Sequence, residues 1–163
     1  MMVSVNLPLL ETIFSRLERG NVQYGYGRKA PALDCDTSVI VAQGKIDCSG
    51  FTRYALAKAT AQALIVPDGS QAQREWAEQE LGAPHDYRML NQADPSRLFM
   101  CFIKPFEHGC GEVGHVWLTN RLEGHDIPTT MESHGGGGCV SRPWNYRTLW
   151  REVFSAFELP VAK

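Results

Sequence analysis

The chain has 163 residues, a length that suits one domain over 1–163, and 44% of them are apolar, enough for a real core. With 21% charged residues and a formal net charge of −2, no basic field points to nucleic acid and no polybasic run to an anionic membrane. No apolar stretch approaches the roughly 20 residues that span a bilayer, and the first twenty residues lack the basic start and unbroken apolar core of a signal peptide.

Those first residues read better as a helix. Asn6 caps it, Pro8 suits its first turn and Gly20 closes it, with Leu9, Leu10, Ile13, Phe14 and Leu17 at helical spacing. Gly20 to Asp47 is loop-rich. A second helix is expected from about Cys48 to Ala63, amphipathic through Phe51, Ala55 and Ala59. A third is expected from about Gln71 to Leu81, with Ser70 as N-cap and Gly82 just past its end. The pattern then changes to strands. Arg97 to Lys104 is an apolar run, Gly114 to Asn120 alternates, Pro128 to His134 is a weaker candidate, and Val153 to Leu159 is a last one. Gly135 to Gly138 forms a four-glycine loop. Helices first and strands later indicate an α+β fold, with an antiparallel sheet packed on helices.

Five cysteines occur, at 35, 48, 101, 110 and 139, with no Cys-x-x-Cys pair. That spacing argues against a zinc ribbon or a thioredoxin motif. The odd count fits one free thiol with up to two disulfides, or five reduced thiols. A bridge between Cys101 and Cys110 would stiffen the strands that lead to His115. A metal site from His108, Cys110, His115 and His134 has ligands of the right type, but matches no standard zinc spacing. No cofactor is expected.

Cys48 stands out by its setting, Asp47-Cys48-Ser49-Gly50-Phe51. A lone cysteine is most often a small buried apolar residue. At a helix start, however, unsatisfied backbone N–H groups and the helix dipole favour the thiolate. Gly50 permits close approach of the backbone, Asp47 shapes the turn and caps the helix, and Phe51 turns inward. A thiolate nucleophile needs a base. His115, which opens Gly114-His115-Val116 at a strand start, is the best candidate. A base in turn needs a third group to orient its ring. Glu132 and His134, two apart on one strand and so facing one side, are the candidates. Asp126 and His125 are weaker ones.

The order Tyr24-x-Tyr26-Gly27, Asp47 to Phe51, Gly114 to Val116 and Met131 to Gly138 resembles the NlpC-type cell-wall peptidases, compact papain-like cysteine peptidases of bacteria and phages. The resemblance implies a papain-like α+β domain, with Cys48 as nucleophile and His115 as base. The family's third residue, usually a histidine on the next strand, falls at Glu132, with His134 as runner-up. Tyr24 matches a tyrosine that helps position the substrate, and Asp47 and Ser49 flank the nucleophile in the substrate-binding or oxyanion turn. The implied reaction is cleavage of peptidoglycan stem-peptide or cross-link amides through a thioester.

In length and motif order the chain is similar to the third group of small amidase effectors of type VI secretion. That similarity implies a protein made without a signal peptide, acting in a rival cell's periplasm, cutting the D-alanyl–diaminopimelate bond and blocked in its producer by a cognate immunity protein. A phage or housekeeping hydrolase cutting D-glutamyl–diaminopimelate would carry the same motifs. So would a papain-like acyltransferase or transglutaminase, and an inactive module that binds wall peptides would keep the fold.

Overall fold

The computed structural model describes residues 3–85, 90, 94, 96–105, 114–120, 129–143 and 155–162. Four helices come first, α1 (Leu7–Arg19), α2 (Thr37–Gln43), α3 (Cys48–Ala59) and α4 (Ser70–Glu80), interleaved with the short strands β1 (Gln23–Tyr24) and β2 (Lys45–Ile46). Five strands follow: β3 (Leu98–Ile103), β4 (His115–Asn120), β5 (Thr129–His134), β6 (Gly138–Pro143) and β7 (Ser155–Leu159). They form one antiparallel sheet in the order β6-β5-β4-β3-β7, while β1 and β2 pair in parallel as a separate ribbon. The fold is α+β, as the element order implied.

The first helix forms for the expected reasons. Asn6 accepts from Leu9 N at 3.1 Å, and Leu10, Ile13, Phe14 and Leu17 are buried together with Leu7. Leu9 faces outward instead, 41% exposed. Gly20 ends the helix at φ −74° rather than in a left-handed turn. What requires glycine there is packing, because an added Cβ would come within 2.7 Å of the Val41 side chain.

The stretch read as loop contains α2. Asp36 caps it by accepting from Ser38 N, and Gly44 closes it in the left-handed conformation at φ +75°.

The helix at Cys48 differs from expectation in two ways. It stops at Ala59, where Thr60 Oγ1 donates to Leu56 O and accepts from Leu64 N, and where Ala61 and Gln62 take positive φ. It is also not amphipathic. Only Arg53 and Lys58 escape full burial, because the helix packs between α1 and the sheet. Phe51 turns inward as expected and meets Phe14 edge-to-face at 5.7 Å.

At α4 the N-cap is Gly69, with no side-chain cap, and Ser70 is the first helical residue. Gly82 beyond the C-cap is left-handed at φ +85°, in the role expected for it.

Every residue of β3, β4 and β5 is buried. Leu98, Met100, Phe102, Val116, Leu118 and Met131 belong to the large core that α1 and α3 share. Phe99, Cys101, Ile103 and Trp117 form a second, smaller cluster with Ala156. Two expectations change here. The glycine run is a tight turn at 135–137 followed by β6, a strand that its glycines concealed. The last strand runs Ser155–Leu159, and residues 153 and 154 fall outside the described residues.

Candidate active site

The turn that carries Cys48 is held from three sides. Asp47 Oδ1 accepts from Gly50 N at 2.7 Å and Asp47 O from Phe51 N at 2.9 Å, so the carboxylate caps α3 as expected. An added Cβ on Gly50 would lie 2.9 Å from Asp47 Oδ1 and 3.0 Å from Arg28 O, so the close approach there requires glycine. β1 runs alongside, with Tyr24 paired to Ile46, two residues before Cys48. Ser133 Oγ donates to Ile46 O at 2.7 Å, which ties β5 to the same turn.

Cys48 is 7% exposed and His115 also 7%. The two side chains are hydrogen-bonded, and His115 Nε2 lies 2.7 Å from Glu132 Oε2. With Nε2 engaged by Glu132, Nδ1 is the ring nitrogen left for the thiol. Glu132 is 1% exposed, and its other oxygen accepts from Thr130 Oγ1 at 3.0 Å. Burial by itself disfavours the imidazolium. The hydrogen bonds and charges of Cys48 and Glu132 overcome that cost and lift the His115 pKa from 6.5 to about 9. The ring also stacks on Trp117 at 5.5 Å. Gly114, at φ +63°, delivers His115 to this position. An added Cβ there would lie 2.6 Å from Ile103 O.

Of the two candidates for the orienting group, Glu132 is the one that holds the ring. His134 lies on the same side of β5, with its Nδ1 2.7 Å from Gly135 O. Residues 125 and 126, the weaker candidates, lie outside the described residues.

A cleft of about 550 Å³ opens beside Cys48, lined by Tyr24, Tyr26, Lys29, Asp68, Gln71 and Pro105 among others. Asp47 and Ser49 reach its wall as well, so Tyr24, Asp47 and Ser49 all border the space above the thiol. His115 is not on the cleft surface, but its neighbour Gly114 is.

Sequence reasoning missed three participants. Thr130, which donates to Glu132 and accepts from Arg142 N, carries no sequence signal of that position. Lys29 and Asp68 form a charged knot on the cleft wall. Lys29 Nζ lies 2.8 Å from each Asp47 oxygen, 2.6 Å from Ser49 Oγ and 2.9 Å from Asp68 Oδ1. Burial disfavours the ammonium, and Asp47 and Asp68 outweigh it, so the Lys29 pKa stands above its ordinary value. Burial pushes the Asp68 carboxyl up, and Lys29 more than reverses this. A lone lysine in a loop gives no sequence signal of such a role.

No protein-family model matches the chain, and no curated protein matches it.

Cys35, Cys48, Cys101 and Cys139 carry free thiols. The bridge expected at Cys101 is therefore not formed. Its sulfur is buried and donates to Thr119 Oγ1 at 3.7 Å, and burial pushes its pKa up to about 12. Residues 108 and 110, weighed as metal ligands or as the bridging partner, lie outside the described residues. Among the described residues no group of three or more His, Cys, Asp or Glu is placed to hold a metal ion, and no helix is long and apolar enough to cross a membrane.

Proposed function

We propose that the protein is a papain-like cysteine amidase that cleaves amide bonds in bacterial peptidoglycan peptides. The observation that carries this reading is the chain Cys48–His115–Glu132. A thiol at a helix start is hydrogen-bonded to an imidazole whose far nitrogen is fixed at 2.7 Å by a buried carboxylate. This is the arrangement of nucleophile, base and orienting group that thiol acyl transfer needs.

The chemistry follows from those positions. The Cys48 thiolate adds to the amide carbonyl carbon. Of the first-turn amides of α3, those of Gly50 and Phe51 are taken by Asp47, which leaves those of Cys48 and Ser49 for the developing oxyanion. His115 gives its proton to the departing amine as the C–N bond breaks, leaving a thioester. It then takes a proton from water, whose oxygen attacks the thioester and releases the acid and the sulfur. Glu132 keeps the ring aligned through both steps. Tyr24, on the cleft wall, positions the peptide.

The substrate class rests on the NlpC-type motifs, as do the D-alanyl–diaminopimelate bond, the role of a type VI effector acting in a rival's periplasm, and an immunity protein that plugs the cleft. The test is digestion of purified peptidoglycan by the protein and by Cys48→Ala, with the fragments identified by mass. The active protein releases fragments ending at one amide, and Cys48→Ala releases none. Full digestion by Cys48→Ala overturns the reading. Fragments ending at D-glutamyl–diaminopimelate move the bond, and stems joined to an added amine make the reaction a transfer.

A further inference from the structure

The N-cap of the nucleophile's helix is a carboxylate only 5% exposed, one residue from a thiol that has to ionise. A buried negative charge there opposes the thiolate. Among the described residues, four carboxylates lie around Cys48. Asp47 is on its own turn, Glu132 on β5 behind His115, Asp68 on the connection between α3 and α4, and Glu75 on α4. The side chain of Asp68 is 50% exposed and Glu75 faces solvent, so water screens both. Glu132 is matched by His115. Tyr24 and Tyr26 bring hydroxyls, not carboxylates, to the same cleft wall. Asp47, with its side chain 7% exposed, is the carboxylate that solvent cannot screen, and Lys29 is the cation set against it.

We propose that Lys29 is a positioning residue for the nucleophile. Its ammonium neutralises the Asp47 carboxylate, so that the carboxylate can cap α3 without opposing ionisation of Cys48. All three ammonium protons are committed, to Asp47, to Ser49 Oγ and to Asp68. Ser49 Oγ passes its own proton on to Asp47 Oδ1 at 3.3 Å. The lysine thus fixes the charge and the orientation of the cap together, and through Asp68 it holds the α3–α4 connection against the cleft. The inference rests on the reading of Cys48 as nucleophile, and its test requires no substrate.

The experiment is the pH dependence of iodoacetamide alkylation, followed at the Cys48 peptide by mass spectrometry. It compares the intact protein with Lys29→Met, Lys29→Arg and Lys29→Met/Asp47→Asn. Lys29→Met is expected to move the alkylation midpoint up by about 1 pH unit. Lys29→Arg is expected to stay near the original value. The double variant, which removes the charge pair as a unit and keeps an oxygen to cap Gly50, is expected to return to it. A Lys29→Met midpoint equal to that of the intact protein overturns the proposal. A double variant displaced by about 1 pH unit from the intact protein does so too, and it carries the test alone if Lys29→Met does not fold. A midpoint near an ordinary thiol's in the intact protein sinks the reading of Cys48 as nucleophile instead. The shift between variants still decides the role of Lys29.

Discussion

Glu132→Gln isolates what the buried carboxylate does for His115. Glutamine keeps the volume and an oxygen for Thr130 Oγ1, but it removes the charge and can turn an N–H toward His115 Nε2. In the intact protein the His115 pKa stands at about 9 against an ordinary 6.5. At about 1.4 kcal/mol per unit, that difference is roughly 3 kcal/mol in favour of the imidazolium, net of the burial cost. Cys48 and Glu132 supply it together, so losing one partner is expected to lower the pKa by about 1–2 units. The same loss of alignment is expected to cost about 10–100-fold in kcat/KM on peptidoglycan. The assay is NMR titration of the His115 ring, assigned with a His115→Asn variant, beside the rate of fragment release. A His115 titration that does not move in Glu132→Gln would refute the reasoning. So would one near 6.5 in the intact protein, because the carboxylate would then hold no charge in place.

Three further outcomes follow from the same geometry. The folded-state pKa of His115 lies above its unfolded value, so the stability it contributes is complete below about pH 6.5 and is lost as pH rises through about 9. The urea midpoint should therefore fall across that window more steeply in the intact protein than in His115→Asn. Gly138→Ala forces a side chain onto a residue at φ +65° and against Val22 O and Gln23, where β6 crosses β1. About 3 kcal/mol of unfolding free energy should be lost, read by chemical denaturation. Gly114→Ala, at φ +63° with a Cβ 2.6 Å from Ile103 O, displaces the start of β4. Fragment release should fall further than the melting temperature would account for.

Much of the fold was readable because local signals agreed with tertiary ones. Asn6, Pro8 and the leucines of α1 specify a capped amphipathic helix, and the apolar run at β3 can only be a buried strand. Cys48 and His115 were readable because each opens an element, α3 and β4, beside a glycine, Gly50 and Gly114, that the close packing there requires. The losses have physical causes. The periodicity of α3 misled because a helix buried all round has no polar face. β6 was hidden because Gly137 and Gly138 serve contacts with His134 and Val22 rather than strand propensity. The choice between Glu132 and His134 could not be made from a two-residue spacing, since both lie on one side of β5. Lys29 escaped because its partners Asp47 and Asp68 are brought to it only by the fold.

The hydrogen bond from Ser133 Oγ to Ile46 O joins residues 87 apart in sequence. Ser133 adjoins Glu132, the carboxylate that holds His115, and Ile46 lies two residues ahead of Cys48. The approach of Cys48 to His115 and Glu132 is therefore supported by a contact that no fragment ending before β5 can make. Closing so long a loop is slow compared with forming α3. The helix that carries the thiol can exist early, while the paired thiol and imidazole exist only once the C-terminal strands have docked. Pairing of Cys48 with His115 thus belongs to a late step of folding.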